Sequence, residues 1–190
     1  AAVSTTLATN AIVEGTGQKT GLILMPPFNV DLSDFHEPAV IIGGKMDISG
    51  AELEPVDDEE IRKAVRTLVN EHGVAAVAVS GYGGSVNPAH EIRVKRIAED
   101  LGGVDVCCGH ELSRLLDFRL RANTAVLNAG IIPLLEEFLR DVRKSMSSRG
   151  ISAPIMVVKG DGSLVSSEFA AEHPVETILS GPAASIAGAR

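Results

Sequence analysis

The 190-residue sequence has no tryptophan, a single tyrosine (Tyr82) and only 3% aromatic residues. Its core must therefore be aliphatic, and the ring platforms on which single-stranded nucleic acids stack are missing. Basic residues are outnumbered, with 17 Lys and Arg against 25 Asp and Glu, so a formal net charge of −8 opposes a phosphate backbone as well. No nucleic-acid partner is expected. Cysteine is limited to Cys107 and Cys108, which as neighbours pair awkwardly, and there is no second pair to build a disulfide framework. Apolar runs are short and broken by Gly, Pro or charge, far from the roughly 20 residues of a membrane span, and no basic stretch followed by an apolar core marks a signal peptide. These deficits together predict a reduced, cytoplasmic protein that does not enter membranes.

What the chain does have is 45% hydrophobic residues, enough for one large domain or two small ones. Residues 4–14 read as a helix capped by Ser or Thr hydroxyls and ended by Gly15 and Gly17, and 20–25 as a buried strand stopped by Pro26 and Pro27. The stretch 28–54 lacks helical period and is expected to be a long excursion holding a β-hairpin around 40–42 and 52–54. Asp57 as N-cap with Glu60 as capping-box partner opens a helix that buries Ile61, Val65, Leu68 and Val69 and ends at Gly73. The run VAAVAVS at 74–80 has the pattern of a strand covered on both faces. Asn87 and Pro88 then start a helix whose buried face is predicted as Ile92, Ile97 and Leu101, followed by a strand at 104–108.

This alternation predicts an α/β fold, a mainly parallel sheet with right-handed crossovers and flanking helices. Beyond His110 the pattern changes to a helix-rich lobe. Residues 112–146 are mostly helical, with a break or kink expected at Pro133. A strand at 155–158, a turn at 160–163, a helix at 167–173 and a strand at 175–179 follow. A boundary near Leu112 divides the chain into 1–111 and 112–190.

The most informative segment is TILSGPAAS at 177–185. An apolar strand there is expected to run through Ser180, Gly181 and Pro182 straight into a run of small residues that begins a helix. Gly181 would permit a backbone conformation closed to other residues, Pro182 suits the first helical position, and the small residues let an anion approach free N–H groups. A tightly packed corner with no ligand satisfies the same pattern. The glycine cluster 81–85 is read as a structural turn, since it lacks the Lys of a Walker loop and the spacing of a dinucleotide fingerprint. The pairs His90-Glu91 and His110-Glu111 lack the i, i+4 spacing of two ligands on one helix face, and no metal site is expected. His90, in the first turn of its helix, is read as solvated. His110, just past the end of a parallel strand, stands equally between function and packing. Asp161 belongs to an Asp-Gly turn, and Cys108 is a buried strand residue without a basic neighbour to activate it.

Five motifs occur in order: STTLATNAIVE near the start, NPAHE at 87–91, GHEL at 109–112, TAVLNAGIIP at 124–133, and SGPAAS. In order and spacing they resemble the hydantoinase A/oxoprolinase family over nearly the whole chain. The resemblance implies a partial ATPase fold of the actin, hexokinase and Hsp70 (ribonuclease H-like) type. It also implies ATP-dependent opening of a cyclic amide, a hydantoin or 5-oxoproline, by activation of the amide with Mg-ATP. In the family an Asp-Gly-Gly-Thr loop precedes the ATN motif and an Asp-x-Gly-Gly-Thr loop follows SGPAAS, so the chain reads as the central part of a larger enzyme, inactive by itself and binding no cofactor tightly. Catalytic residues are not assigned. The residues expected in the substrate or nucleotide cleft are Thr9, Asn10, His110, Ser180, Gly181, Pro182 and Ala183. A second enzyme subunit is an expected partner, and so is a second copy of the chain pairing through a bare sheet edge. The competing reading is a non-catalytic scaffold that binds an anion or a partner.

Overall fold

The computed structural model describes residues 1–189. In chain order the elements are β1 (Ala2–Val3), α1 (Leu7–Glu14), β2 (Thr20–Met25), β3 (Ala39–Ile41), β4 (Lys45–Met46), β5 (Glu52–Glu54) and α2 (Asp58–Arg66). There follow β6 (Ala76–Gly81), α3 (Ala89–Leu101), β7 (Asp105–Cys108), α4 (Gly109–Leu112) and α5 (Phe118–Ser148). The chain continues through β8 (Met156–Val158), β9 (Leu164–Ser166), α6 (Ser167–Glu172) and α7 (Ser180–Gly188). Among the described residues no helix is long and apolar enough to cross a membrane.

Two compact units form: residues 18–130, and residues 1–17 together with 131 onward. The change of unit falls within α5, between Gly130 and Ile131, whereas the change of sequence pattern near Leu112 coincides with the short connection from α4 to α5.

The 18–130 unit is built on a four-stranded sheet in the order β3-β2-β6-β7, parallel throughout. β2 and β6 are central and buried along their whole length, which explains their uninterrupted apolar sequences. Alternate side chains serve opposite faces. Ile23, Met25, Val77 and Val79 pack with Ile61, Leu68, Val94 and Ile97 of the segments after β3 and β6. Leu22, Leu24, Ala76 and Ala78 pack with Phe35 and with Phe118, Ala122, Ala125 and Ala129 of α5. Each buried Leu, Ile, Val or Phe is worth about 1.5–3 kcal/mol, so aliphatic burial dominates both layers, with Phe118 and Tyr82 adding a small ring cluster to the second. The chain leaves β2 toward β3 and leaves β6 toward β7, so the connections diverge at the carboxyl ends of β2 and β6, the usual ligand position in such sheets.

The other unit carries a three-stranded sheet, β1-β8-β9, with β1 parallel and β9 antiparallel to β8. Its core comprises Leu135, Leu139, Ile155, Val157 and Ala170, with Ala8, Ala11 and Ile131 forming a second cluster.

Several local expectations are corrected by tertiary partners. Residues 175–179 are not a strand: Pro174–Thr177 form a 3₁₀ turn, favoured by Pro174 and closed by the Thr177 hydroxyl donating to the Pro174 carbonyl at 2.7 Å. The hairpin of the 28–54 excursion joins β4 and β5, while 39–41 extends the main sheet beside β2. In α3, Ile92 and Leu101 are exposed and the buried positions are His90, Glu91, Val94, Ile97 and Ala98. Asp57 caps α2 as expected, accepting from the N–H groups of Glu59 and Glu60, but the Glu60 side chain reaches instead to the N–H of Gly43 at 2.7 Å. α5 continues past Pro133.

Candidate functional site

The residues singled out in the sequence fall into two places. Thr9, Asn10 and 180–183 belong to one unit, and His110 belongs to the other.

The first place is the turn into α7. Leu179, immediately before the helix, has φ 61°, the one described non-glycine residue with positive φ. The backbone reversal that was expected at Gly181 therefore occurs at Leu179, where a leucine costs about 1–2 kcal/mol of strain. Contacts from α1 and the residues before it hold this conformation. The Leu179 N–H donates to the Thr9 hydroxyl at 3.2 Å, and the Ser180 hydroxyl donates to the Thr5 carbonyl at 2.9 Å while accepting from the Thr5 N–H at 3.4 Å. Ser180 is fully buried. Asn10 stays exposed and bonds within its helix to Thr6. Pro182 has no N–H, so the free donors of the first turn are those of Ser180 and Gly181.

Against the same turn sits the β8–β9 hairpin. The Gly160 N–H donates to the Glu176 carbonyl at 2.8 Å, and Lys159 pairs with Glu176 at 2.5 Å. Asp161 accepts from both the N–H and the hydroxyl of Ser163, bonds that draw its carboxyl below the usual range. An open groove of about 520 Å³ lies between the hairpin tip and the start of α7, lined by residues including Gly160, Gly162, Leu179, Pro182 and Ala183.

The second place is at the carboxyl ends of β6 and β7. Glu91, wholly buried in the first turn of α3, reaches back to accept the Gly81 N–H at 2.8 Å with Oε1. Its Oε2 meets both the backbone N–H (2.9 Å) and the Nδ1 (2.7 Å) of His110. The Cys108 thiol donates to the Glu91 carbonyl at 3.5 Å. On the far side of Gly81, the fully buried Arg121 donates to the carbonyls of Gly81 (2.6 Å), Tyr82 (2.9 Å) and Leu115 (2.5 Å). Burial weakens the hold of this guanidinium on its proton, and the Glu91 and Asp117 carboxylates oppose that effect. Gly81 thus lies between a carboxylate and a guanidinium, with Glu91 accepting from its N–H and Arg121 donating to its carbonyl.

His90 is buried, not solvated as its sequence position suggested, and meets Glu52 of β5 at 2.7 Å. The two His-Glu dipeptides accordingly act across the fold: His110 pairs with Glu91, and His90 with Glu52. Arg121 escaped the sequence reading. The signal was there, since Arg121 falls within the apolar spacing 118, 122, 125, 126, 129 of α5, where a cation has to be paired or hydrogen-bonded.

Comparison with known proteins places this geometry in context. The family model for the hydantoinase/oxoprolinase N-terminal region matches residues 1–102, and that for hydantoinase/oxoprolinase matches residues 121–190. The chain belongs to the hydantoinase/oxoprolinase family. Caprolactamase subunit alpha of Pseudomonas jessenii is 30% identical to this family member over 94% of the chain. The crystal structure of the ATP-dependent caprolactamase from that organism superposes with a TM-score of 0.81 at 28% identity, covering 95% of the chain. A nucleotide-free acetone carboxylase superposes with a TM-score of 0.84 over 99% of the chain; at 21% identity it speaks to the fold alone. The α/β fold with its parallel sheet is of the actin-like ATPase type. The chain spans 29% of the caprolactamase subunit and 31% of the acetone carboxylase chain.

Proposed function

We propose that this chain is part of an ATP-dependent amidohydrolase that opens a cyclic amide of the hydantoin, 5-oxoproline or lactam type. In this reading residues 179–183 and Thr9 contribute to the wall of its nucleotide cleft. The observation that carries the reading is the strained turn at Leu179, which Thr9 of α1 and Thr5 just before it hold in place. Backbone strain maintained by a dedicated set of bonds is a feature of ligand-binding corners, and here it aims the first turn of a helix at an open groove. The N–H of Gly181, next to Pro182 and Ala183 of the groove wall and helped by the positive end of the α7 dipole, suits a phosphate oxygen, while Ser180 is buried. N–H donors do not suit Mg²⁺, which takes oxygen ligands, and the carboxylate at this groove, Asp161, has one oxygen committed to Ser163.

When bound, Mg-ATP would supply the phosphoryl group that makes the amide carbon open to water. The contribution of this chain would be orientation. Thr9 fixes the peptide between Ile178 and Leu179, Ser180 anchors α7 to Thr5, two residues before α1, and Pro182 and Ala183 keep the groove wall free of bulk. Such positioning, with charge stabilisation, dominates phosphoryl transfer. The caprolactamase relative is named as one subunit of its enzyme, which supports a second subunit here as well. Two free, buried cysteines suit a reducing cytoplasm.

The test is an assay of the full-length protein, with its partner subunit, on 5-oxoproline, hydantoin and lactam rings with and without ATP. Ring-opened amino acid formed only with ATP, alongside ADP, is the expected result. Ring opening without ATP, or ATP binding with no ring opened, would refute the reading.

A further inference from the structure

The three side chains at the carboxyl ends of β6 and β7 have a property independent of the nucleotide cleft. A Glu91 carboxylate oxygen, Cys108 Sγ and a His110 ring nitrogen lie mutually within 4.8 Å. They come from separate elements, α3, β7 and α4, and each is fixed by its own backbone setting. Glu91 is held by the Gly81 N–H, and the Cys108 N–H donates to Glu111 Oε2 at 3.1 Å. The His110 N–H donates to Glu91 at 2.9 Å. Glu91 and Cys108 are fully buried, and the His110 side chain, 17% exposed, is the solvent-facing member.

We propose that Glu91, Cys108 and His110 form a three-ligand site for a borderline divalent cation of the zinc class, with its fourth position on the side of His110. One nitrogen, one sulfur and one oxygen ligand are the mixture that Zn²⁺ and Co²⁺ accept and that Mg²⁺ and Ca²⁺ do not. The electrostatic setting agrees. Besides burial, both Glu91 and Glu111 raise the Cys108 thiol above its ordinary value, with Lys95 opposing them, so the field at the sulfur is negative and favours a cation. Lys95 is itself paired to Glu111 at 2.7 Å. Arg121, the nearby buried cation, is directed to the carbonyls of Gly81, Tyr82 and Leu115 and not to the Glu91 oxygens.

Binding would exchange two hydrogen bonds, the 3.5 Å one from the Cys108 thiol to the Glu91 carbonyl and the 2.7 Å one between His110 and Glu91, for metal bonds. The S–H bond of Cys108 breaks, the thiolate bonds the cation, and the proton goes to solvent. The proton now shared between His110 Nδ1 and Glu91 Oε2 is carried on Nε2 instead, freeing Nδ1 and the carboxylate oxygen as ligands. Three protein ligands leave a position for water or a small oxygen donor, as in sites that bind a ligand at the metal.

The experiment is a Co²⁺ titration of the protein after chelator treatment, with Zn²⁺ as competitor. One equivalent of Co²⁺ should give a sulfur-to-cobalt charge-transfer band and the visible bands of a tetrahedral ion, both abolished by Zn²⁺. Cys108→Ser should remove the charge-transfer band, Cys107→Ser should keep it, and His110→Ala should weaken binding at least tenfold. If Cys108→Ser does not fold, judged by circular dichroism, X-ray absorption at the zinc edge of the unsubstituted protein decides: one sulfur at about 2.3 Å supports the site. A shell of light atoms only, no band at one equivalent, or a charge-transfer band that survives in a folded Cys108→Ser protein would overturn it.

Discussion

Gly160 lies so close to the turn before α7 that a Cβ placed on it would stand 2.2 Å from the Ile178 carbonyl oxygen. Backbone atoms cannot yield as a side-chain tip can. Gly160→Ala should therefore force the β8–β9 hairpin away from the turn and weaken the Gly160–Glu176 hydrogen bond. The expected cost is about 1–3 kcal/mol, the range for overpacking, measured as a lower urea midpoint. An unchanged midpoint would show that hairpin and turn do not depend on this approach.

Leu179 offers the opposite case. Its side chain is 57% exposed, so little burial is lost on removing it, while its φ of 61° is costless for glycine. Leu179→Gly should raise stability by up to about 1 kcal/mol, seen as a higher Tm, whereas Leu179→Val should lower it. A fall in Tm for the glycine variant would mean that the leucine side chain, and not the backbone geometry, matters at this position.

Glu91 and Arg121 should be energetically coupled through Gly81, whose N–H and carbonyl they hold. Removing either weakens the hydrogen bonding of buried Gly81 and takes away a charge of opposite sign to the other, at a cost of about 1–3 kcal/mol. Glu91→Gln and Arg121→Met should each destabilise the protein strongly, and the double variant by clearly less than their sum, a non-additivity of about 1–3 kcal/mol. Additive effects in denaturant melts would disprove the coupling.

Burial pushes the Cys107 thiol up to about 12, with the Asn128 hydrogen bond opposing it, and raises Cys108 further. Neither thiol should react with a thiolate-selective reagent at pH 8 until the protein unfolds. The linkage has a definite sign. The unfolded thiol ionises near 9 while the folded one stays protonated, so the associated stability is complete below pH 9 and is lost as pH rises from about 9 toward 12. Labelling of the native protein at pH 8, or a Cys107→Ala variant with the same alkaline decline as the parent, would contradict this.

The sheet of the 18–130 unit was legible because its signals are local. The run that becomes β2 is apolar at nearly every position and bounded by two prolines, and Asp57 announces α2 by a hydroxyl-free cap that needs only its own N–H neighbours. The segment 175–179 misled because four apolar or β-branched residues suit a strand, yet among the described residues it pairs with no strand and Pro174 favours a tight turn. His90 and Glu91 look like ordinary first-turn polar residues. Their burial depends on Glu52, Gly81 and His110, which lie 10 to 38 positions away, and no window along the sequence reports that. In the same way Thr9 was marked by its motif, but its partner Leu179 is 170 positions distant, and the strain at Leu179 had no local signature at all.

Nucleotide binding by the full-length protein with Gly181→Val tests the account most directly. Gly181 has no positive φ, and an added Cβ would meet only the Thr6 methyl at an ordinary 3.5 Å, so valine should fold there while crowding the first turn of α7. The account predicts that ATP affinity falls at least tenfold, about 1.4 kcal/mol, with Tm nearly unchanged. Equal ATP affinity in the parent and the variant would contradict it, and would return the turn to a packing role.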